Sequence, residues 1–185
     1  MEWVILGVIV LLLLWLVVVY NRLVALRQTA SQAWADIEVQ LKQRHDLIPN
    51  LVEMVKGYAA HERGTLDAVI KARNTAVSAN GPEAAAAAEG QLSGALGRLF
   101  ALSEAYPDLK ANTNFLSLQG ELSAVEGKIA AARRFFNNAV AEFNAAIQSI
   151  PAVFFAGSLG FAARGFFELD AAERVAVNTA PQVKF

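Results

Sequence analysis

The first feature of the hydrophobic pattern is an unbroken apolar stretch from Trp3 to Tyr20, which contains no charged side chain. A helix of this length covers about 27 Å at about 1.5 Å per residue, close to the hydrocarbon thickness of a bilayer. The rings of Trp3 and Tyr20 would lie at the two headgroup regions, with Leu12 and Trp15 inside the span. We therefore predict a transmembrane anchor over residues 1–20.

This stretch has two other interpretations. A cleaved secretory signal has a shorter apolar centre, a basic start and a small-residue cleavage site, whereas this chain opens with Met1-Glu2 and continues through Tyr20-Asn21-Arg22. A buried helix of a soluble protein is rarely apolar on every face. The pattern favours an uncleaved span, and a signal peptide is its main rival.

Cationic residues flank only one end of the span, because Arg22 and Arg27 follow it and no Lys or Arg precedes it. Lysine and arginine close to a span are retained on the cytoplasmic side. We therefore expect an outward amino terminus and a cytoplasmic domain from residue 21 onward. An extracytoplasmic domain is the alternative that this charge bias leaves open.

Beyond the span, apolar residues recur at spacings of three, four and seven, as in helices that bury one stripe or form a coiled coil. Three long seams predict helices over 21–79, 83–106 and about 114–149, and an all-α, elongated antiparallel bundle in one domain, 21–185. The seams consist of Trp34, Ile37, Leu41, Ile48, Leu51, Val55, Tyr58, Leu66 and Val69; of Leu92, Leu96, Leu99 and Tyr106; and of Phe115, Leu118, Leu122, Val125, Ile129, Phe136, Val140, Phe143, Ile147 and Ile150.

Proline and glycine mark the ends of these helices. Asn80-Gly81-Pro82 is the clearest turn, Pro107 ends the second helix and Pro151 closes the third. The third helix is about 54 Å long and the second only about 36 Å. Either the linker after Pro107 runs extended along the bundle or the third helix overshoots the Asn80 turn. We expect the extended linker, since six residues can cover about 18 Å.

Pro49 interrupts the first seam, because proline lacks an amide hydrogen and crowds the carbonyl four residues back. The seam keeps its phase across the proline, so we expect a kink inside one helix. Alternatively, Asp46 caps a new helix with Pro49 in its first turn, which would give four shorter helices.

The carboxyl-terminal segment, residues 151–185, differs in composition from the bundle. It must bury its aromatic rings against the bundle, a neighbouring copy or the bilayer interface, and we expect the bundle or a neighbour. These rings, with the small residues Gly90, Gly94 and Gly97 near the second seam, suggest a homo-oligomer. A short helix is expected at 171–177. The candidate oligomer contacts are Phe154, Phe155, Phe161, Phe166 and Phe167.

The net charge and the residue content limit the kinds of ligand and reaction that this chain is expected to support. Only Glu2 of the 17 acidic residues precedes residue 21, so the rest carries 16 acidic and 16 basic residues and gives no electrostatic reason to bind nucleic acid. The chain has no cysteine and two histidines, His45 and His61, and neither belongs to a metalloprotease motif. No serine lies in a nucleophile elbow. We expect no catalytic residue, no metal and no cofactor.

A polar cluster surrounds the proline: Arg44, His45, Asp46 and Asn50. It is a candidate ligand or partner site, because Pro49 frees the carbonyl of His45. The competing interpretation is that these side chains satisfy the broken helix and one another. Asn137 and Asn144, seven residues apart, share a helix face, where buried asparagines can fix helix register.

The stretch from Trp34 to Val52 resembles the LemA family of bacterial membrane proteins, as do Glu104–Asn112, Arg133–Asn137, Glu142–Asn144 and Val183–Phe185. The resemblance implies an amino-terminal membrane helix followed by a cytoplasmic antiparallel helical bundle. It implies little about chemistry, although some relatives are associated with intracellular membrane organelles such as magnetosomes.

These observations lead us to expect a non-enzymatic, single-pass protein of the bacterial inner membrane. It would contact the bilayer, associate with itself and serve as a scaffold, assembly factor or adaptor for another membrane protein. The alternative is a membrane-anchored ligand sensor that uses the polar cluster at Pro49.

Overall fold

A computed structural model describes residues 1–168; the predicted helix at 171–177 and the closing Val183–Phe185 lie outside them. The described residues are mostly helical and contain no strand, which confirms the all-α prediction. The helices are α1, Glu2–Tyr58; α2, Arg63–Ser78; α3, Pro82–Ser103; the single turn α4, Pro107–Lys110; and α5, Thr113–Gln148, which a short 3-10 turn at Ala152–Phe154 follows.

Helix α1 is both the apolar helix and the spine of the bundle, since it runs through 57 residues without interruption. Its amino-terminal part projects from the bundle, and Trp3, Leu12 and Trp15 are 84%, 57% and 50% exposed. Leu23 is the first buried residue of the helix. By length and composition, the exposed part is able to cross a membrane.

Helices α2 and α5 pack along the remainder of α1, and α3 packs on α2. Helix α2 returns along α1, α3 reverses again, and α5 runs antiparallel to α1. At one end of the α1–α5 pair, Asn112 Nδ2 donates to the Tyr58 hydroxyl over 3.0 Å; further along, the rings of Trp34 and Phe136 lie 5.4 Å apart. The half of the bundle far from the apolar helix therefore contains four helices. The near half contains α1, α5 and the segment after α5.

The predicted seams form the core of this bundle. Most seam residues are buried, and Trp34, Leu118 and Tyr106 are half-buried. Tyr58 and Ile150 are exceptions, at 43% and 79% exposed, because each follows or closes the last turn of its helix. The apolar periodicity thus identified the buried faces correctly, up to the helix ends.

The predicted first helix, 21–79, is wrong at one place, because the chain leaves the helix between Tyr58 and Arg63. Ala59 has φ −127° and ψ 48° and is buried, and Glu62 donates its amide to the carbonyl of Ala59. Glycines at 57 and 64 weaken helix formation on both sides of the break. Reversal here packs the α2 seam back onto α1, so the described bundle has four long helices rather than three.

The prediction of an extended linker after Pro107 was also wrong. Residues 107–110 form a helical turn that buries Leu109 completely, and α3 ends at Ser103 rather than Tyr106. Helix α5 instead overshoots the turn between α2 and α3. Its last dozen residues cover the apolar surface that α1 presents near Leu23 and Ala30, which would otherwise face water.

A buried polar cluster beside Pro49

Two residues of the predicted cluster, Arg44 and His45, lie inside the bundle and converge on one carboxylate. Arg44 is 3% exposed and donates from Nη1 to Glu89 Oε2 over 2.9 Å. His45 Nε2 lies 2.6 Å from Glu89 Oε1. The side chain of Glu89, on α3, therefore engages two successive residues of α1.

The second terminal nitrogen of Arg44 connects α1 to two further side chains. It donates to Ser93 Oγ over 2.8 Å and to Glu126 Oε1 over 3.1 Å. The side chain of Glu126 is 51% exposed, whereas that of Glu89 is 7% exposed. Because water screens the outer pair and not the inner one, the Arg44–Glu89 pair carries most of the electrostatic interaction.

Pro49 lies within α1, which confirms that the helix is not broken there and excludes Asp46 as the cap of a new helix. The carbonyl of His45, which the proline leaves without its usual helical donor, accepts a hydrogen bond from Arg73 Nε over 3.3 Å. Helix α2 therefore supplies the donor that Pro49 lacks.

The other two predicted residues do not join the cluster. Asp46 is exposed and pairs with Lys42 over 3.0 Å, and Asn50 is exposed on the solvent side of α1. The partners that complete the cluster, Glu89, Ser93, Glu126 and Arg73, were missed because they come from three other helices. One signal was available: Glu89 continues the spacing of Ala85 and Leu92 and so occupies a seam position.

An open groove of about 420 Å³ lies between α3 and α5, next to the cluster. Arg44, Ser93, Glu126 and Arg133 are among the residues that line it. Arg133 is half-buried and makes no hydrogen bond or ion pair within residues 1–168. Among the described residues, no group of three or more His, Cys, Asp or Glu side chains is placed to hold a metal ion.

Asn137 and Asn144 bind the segment that follows α5, rather than another helix. Asn144 Nδ2 donates to the Arg164 carbonyl, and its Oδ1 accepts from the Arg164 amide, both over 2.9 Å. Asn137 makes the same two bonds with Phe167, both over 3.0 Å. Seven helical residues and three extended residues both span about 10 Å, so the two periods match.

The candidate oligomer contacts separate into three groups. Phe161 and Phe167 are buried against their own chain, and Phe161 contacts the rings of Tyr20 and Phe143. Phe155 and Phe166 are half-buried, whereas Phe154 is 78% exposed. Phe154 is thus the member of the set most accessible to another molecule.

These features define an all-α helical bundle whose polar cluster is internally paired and whose first helix extends beyond the bundle as an apolar helix that is able, by length and composition, to cross a membrane. The chain belongs to the LemA family, whose sequence profile matches residues 33–185. The family resemblance recognised in the sequence is therefore confirmed, and the matched region begins after the apolar stretch.

Three curated relatives carry the name of a magnetosome protein. The chain is 27% identical to magnetosome protein MamQ of Magnetospirillum gryphiswaldense, over 89% of this chain and 70% of that protein. It is 25% identical to magnetosome proteins MamQ 1 and MamQ 2 of Paramagnetospirillum magneticum, over 80% of this chain and 64% of each relative. The chain thus spans about two thirds of the length of these relatives.

Proposed function

We propose that this protein is a non-catalytic scaffold, assembly factor or adaptor, anchored in the bacterial inner membrane by residues 1–20. The observation that carries the proposal is the continuity of α1. One unbroken helix includes the exposed apolar part and the part against which α2 and α5 pack, and Arg44 on that part pairs with Glu89 on α3. A partner bound to the bundle is thereby held at a fixed position relative to the bilayer.

The polar side chains of the bundle bond mainly to other groups of the same chain, which supports a structural role for the protein. The Arg44–Glu89–His45 cluster is paired inside the bundle, Asn112 caps α5 through bonds from the amides of Asn114 and Phe115, and Asn137 holds the segment after α5. Each of these side chains makes at least one hydrogen bond within the chain. The relatives' name, magnetosome protein, associates them with a membrane organelle, and an assembly role at a membrane agrees with that name.

Retention of the anchor is tested on native membranes. We expect the full-length chain to stay in the pellet after alkaline carbonate extraction, and its intact mass to include residues 1–20. The unbroken helix at residues 20–23 and the contact of Tyr20 with Phe161 support retention. A mature chain that begins after Tyr20, or one released by carbonate, contradicts it.

The orientation with the bundle in the cytoplasm is tested by a reporter. Arg22 and Arg27 support this orientation. A periplasmic alkaline phosphatase fused after Phe185 is expected to be inactive, and a cytoplasmic fluorescent protein at the same site is expected to fluoresce. The reverse pattern would place the bundle outside the cytoplasm.

The scaffold role is tested by site-specific photocrosslinking in the native membrane. A crosslinker at exposed Arg98 or Asp108 is expected to give a discrete product of higher mass, whereas one at buried Phe143 is expected to give none. Self-association predicts that one product contains two copies of the chain and that the purified protein scatters light as an oligomer. If the protein scatters light as a monomer, self-association is contradicted but the scaffold role is not.

The groove between α3 and α5 favours a second function, a ligand sensor. Arg133 lines the groove and has no partner among the described residues, so its charge suits a small carboxylate or phosphate ligand. A thermal-shift screen of such anions tests it, with Arg133→Ala as the control. Arg44→Ala is unsuitable because it destroys the buried pair. Stabilisation by an anion that Arg133→Ala abolishes would favour the sensor over the scaffold.

A further inference from the structure

An uncharged loop at the base of the bundle carries exposed apolar side chains. We define the base loop as residues 149–161, which connect α5 to the extended segment. Ile150, Val153, Phe154 and Leu159 are 79%, 48%, 78% and 47% exposed. No charged residue lies between Glu142 and Arg164. Exposed apolar side chains grouped in this way mark an interaction surface.

The base loop lies level with the point where α1 leaves its apolar stretch. Because α5 is antiparallel to α1 and Phe136 contacts Trp34, residues further along α5 lie beside residues nearer the amino terminus of α1. Ile150, Pro151 and Ala152 accordingly line one pocket with Val19 and Leu23. The loop therefore reaches the last residues of the apolar stretch.

The backbone of the base loop is suited to a region with little water. The amides of Val153, Phe154, Phe155, Ala156 and Phe161 all donate to carbonyls within the loop, over 2.7–3.2 Å. Backbone groups that are paired in this way can enter an apolar environment at lower cost. On its inner side, the loop is fixed to the bundle by Ala152, Ala156 and Phe161, which are buried with Leu23 and Phe143.

Two cations lie beside the base loop. Arg22 is exposed and lines the same pocket as Ile150. Arg27 is held with its guanidinium carbon 4.9 Å from the centre of the Phe161 ring. Cations next to a loop with exposed apolar side chains match the interface of a bilayer, where lipid phosphates lie above the acyl chains.

We propose that the base loop is a second membrane contact, in which Ile150, Val153, Phe154 and Leu159 insert into the lipid interface beside the anchor. The inference rests on the proposed anchoring by residues 1–20. One consequence is that the bundle is held to the bilayer at two points, so that rotation and tilt about the anchor are restricted.

The chain contains no cysteine, so a single introduced cysteine can carry a fluorophore at one known position in the full-length chain. The protein is reconstituted in phosphatidylcholine–phosphatidylglycerol vesicles, with or without a lipid that carries a nitroxide quencher near the top of its acyl chain. The labelled variants are Phe154→Cys and Leu159→Cys in the loop, and Leu12→Cys in the anchor. Ala25→Cys, on exposed α1 just beyond the span, and Ala60→Cys, at the far end, are controls.

Insertion predicts quenching at Phe154 and Leu159 that is about twofold or more above that at Ala25, because interfacial side chains lie about 5–10 Å into the bilayer boundary. Ala60 should not be quenched. Equal quenching at Phe154 and Ala25, with Leu12 quenched, overturns the loop contact while the anchor stands. An unquenched Leu12 overturns both. Disulfide-linked dimers of Phe154→Cys without quenching would assign the loop to a second copy and overturn the lipid contact.

Discussion

The carboxylate of Glu89 is the residue on which the buried polar cluster depends. Its two oxygens engage Arg44 and His45, both almost fully buried. Glu89→Ala would leave the Arg44 charge in the interior with only the half-exposed Glu126 as its acidic partner. Removal of one partner of a buried pair costs about 3–5 kcal/mol. At about 2–4 °C per kcal/mol for a domain of this size, we expect the thermal midpoint in mild detergent to fall by about 10 °C.

Glu126→Ala is the matched control for that substitution. It removes the other carboxylate on Arg44, at 3.1 Å, but its side chain is 51% exposed. Exposed pairs contribute up to about 1 kcal/mol, so we expect a fall of only a few degrees. Circular dichroism melts of both variants measure the difference. Equal losses would show that burial does not decide the strength of these pairs.

At the residue scale, the sequence predicted the burial of apolar side chains better than it predicted polar partners. Periodicity locates a buried face because it is a property of one helix. The partners of Arg44 lie 45 to 82 residues away along the chain, so their choice depends on how the helices are placed side by side. Asp46 and Asn50 were grouped with Arg44 by proximity in sequence, yet they lie on the opposite, solvent side of the helix.

At the scale of the element, Pro49 and Arg73 should be energetically coupled. Arg73 donates to the His45 carbonyl that Pro49 leaves without a helical donor. In Pro49→Ala, the amide of residue 49 could bond to this carbonyl, so Arg73→Ala should cost less in that background. A double-mutant cycle of unfolding free energies measures the coupling, which we expect at about 0.5–1.5 kcal/mol. Strictly additive effects would contradict this role of Arg73.

The extended segment after α5 should depend on the amide groups of the asparagines. Asn144→Asp keeps the size of the side chain but replaces the NH₂ donor to the Arg164 carbonyl with an acceptor. Loss of such a bond costs about 1–3 kcal/mol, so we expect amide hydrogen exchange over residues 161–168 to become about tenfold faster or more. Asn138→Asp, on the exposed face of the same helix, is the control and should leave exchange in this segment unchanged.

Neither the helix break at Ala59 nor the role of Asn137 and Asn144 could be predicted from the sequence, and the contacts of these residues explain why. The break at Ala59 was hidden because Leu66 and Val69 keep the spacing of the α1 seam, although they pack back onto it from α2. The role of Asn137 and Asn144 was hidden because their partners are backbone groups, which leave no trace in side-chain pattern. Helix α5 itself was predicted almost to the residue, since its apolar stripe is regular and Pro151 marks its carboxyl-terminal end.

At the scale of the whole molecule, if residues 1–20 form the proposed anchor, the continuity of α1 sets the position of the bundle above the membrane. From Arg22 to Tyr58 the helix covers about 54 Å at about 1.5 Å per residue. For the tilt of about 20° that is typical of spanning helices, the far end stands about 50 Å above the bilayer surface. The proposed anchor and base loop together predict a rod that stands upright rather than one that lies along the lipid.

Resonance energy transfer to the membrane surface distinguishes these two positions. With acceptor lipids in the vesicles, a donor on Ala25→Cys should transfer nearly all of its energy, and a donor on Ala60→Cys should transfer little. Variants that weaken the base loop, such as Phe154→Ser, should raise transfer from Ala60 because the rod then tilts more freely. High transfer from Ala60 in the unmodified background would mean that the bundle lies flat, in which case its exposed faces meet lipid and the adaptor surface must be sought on the opposite side.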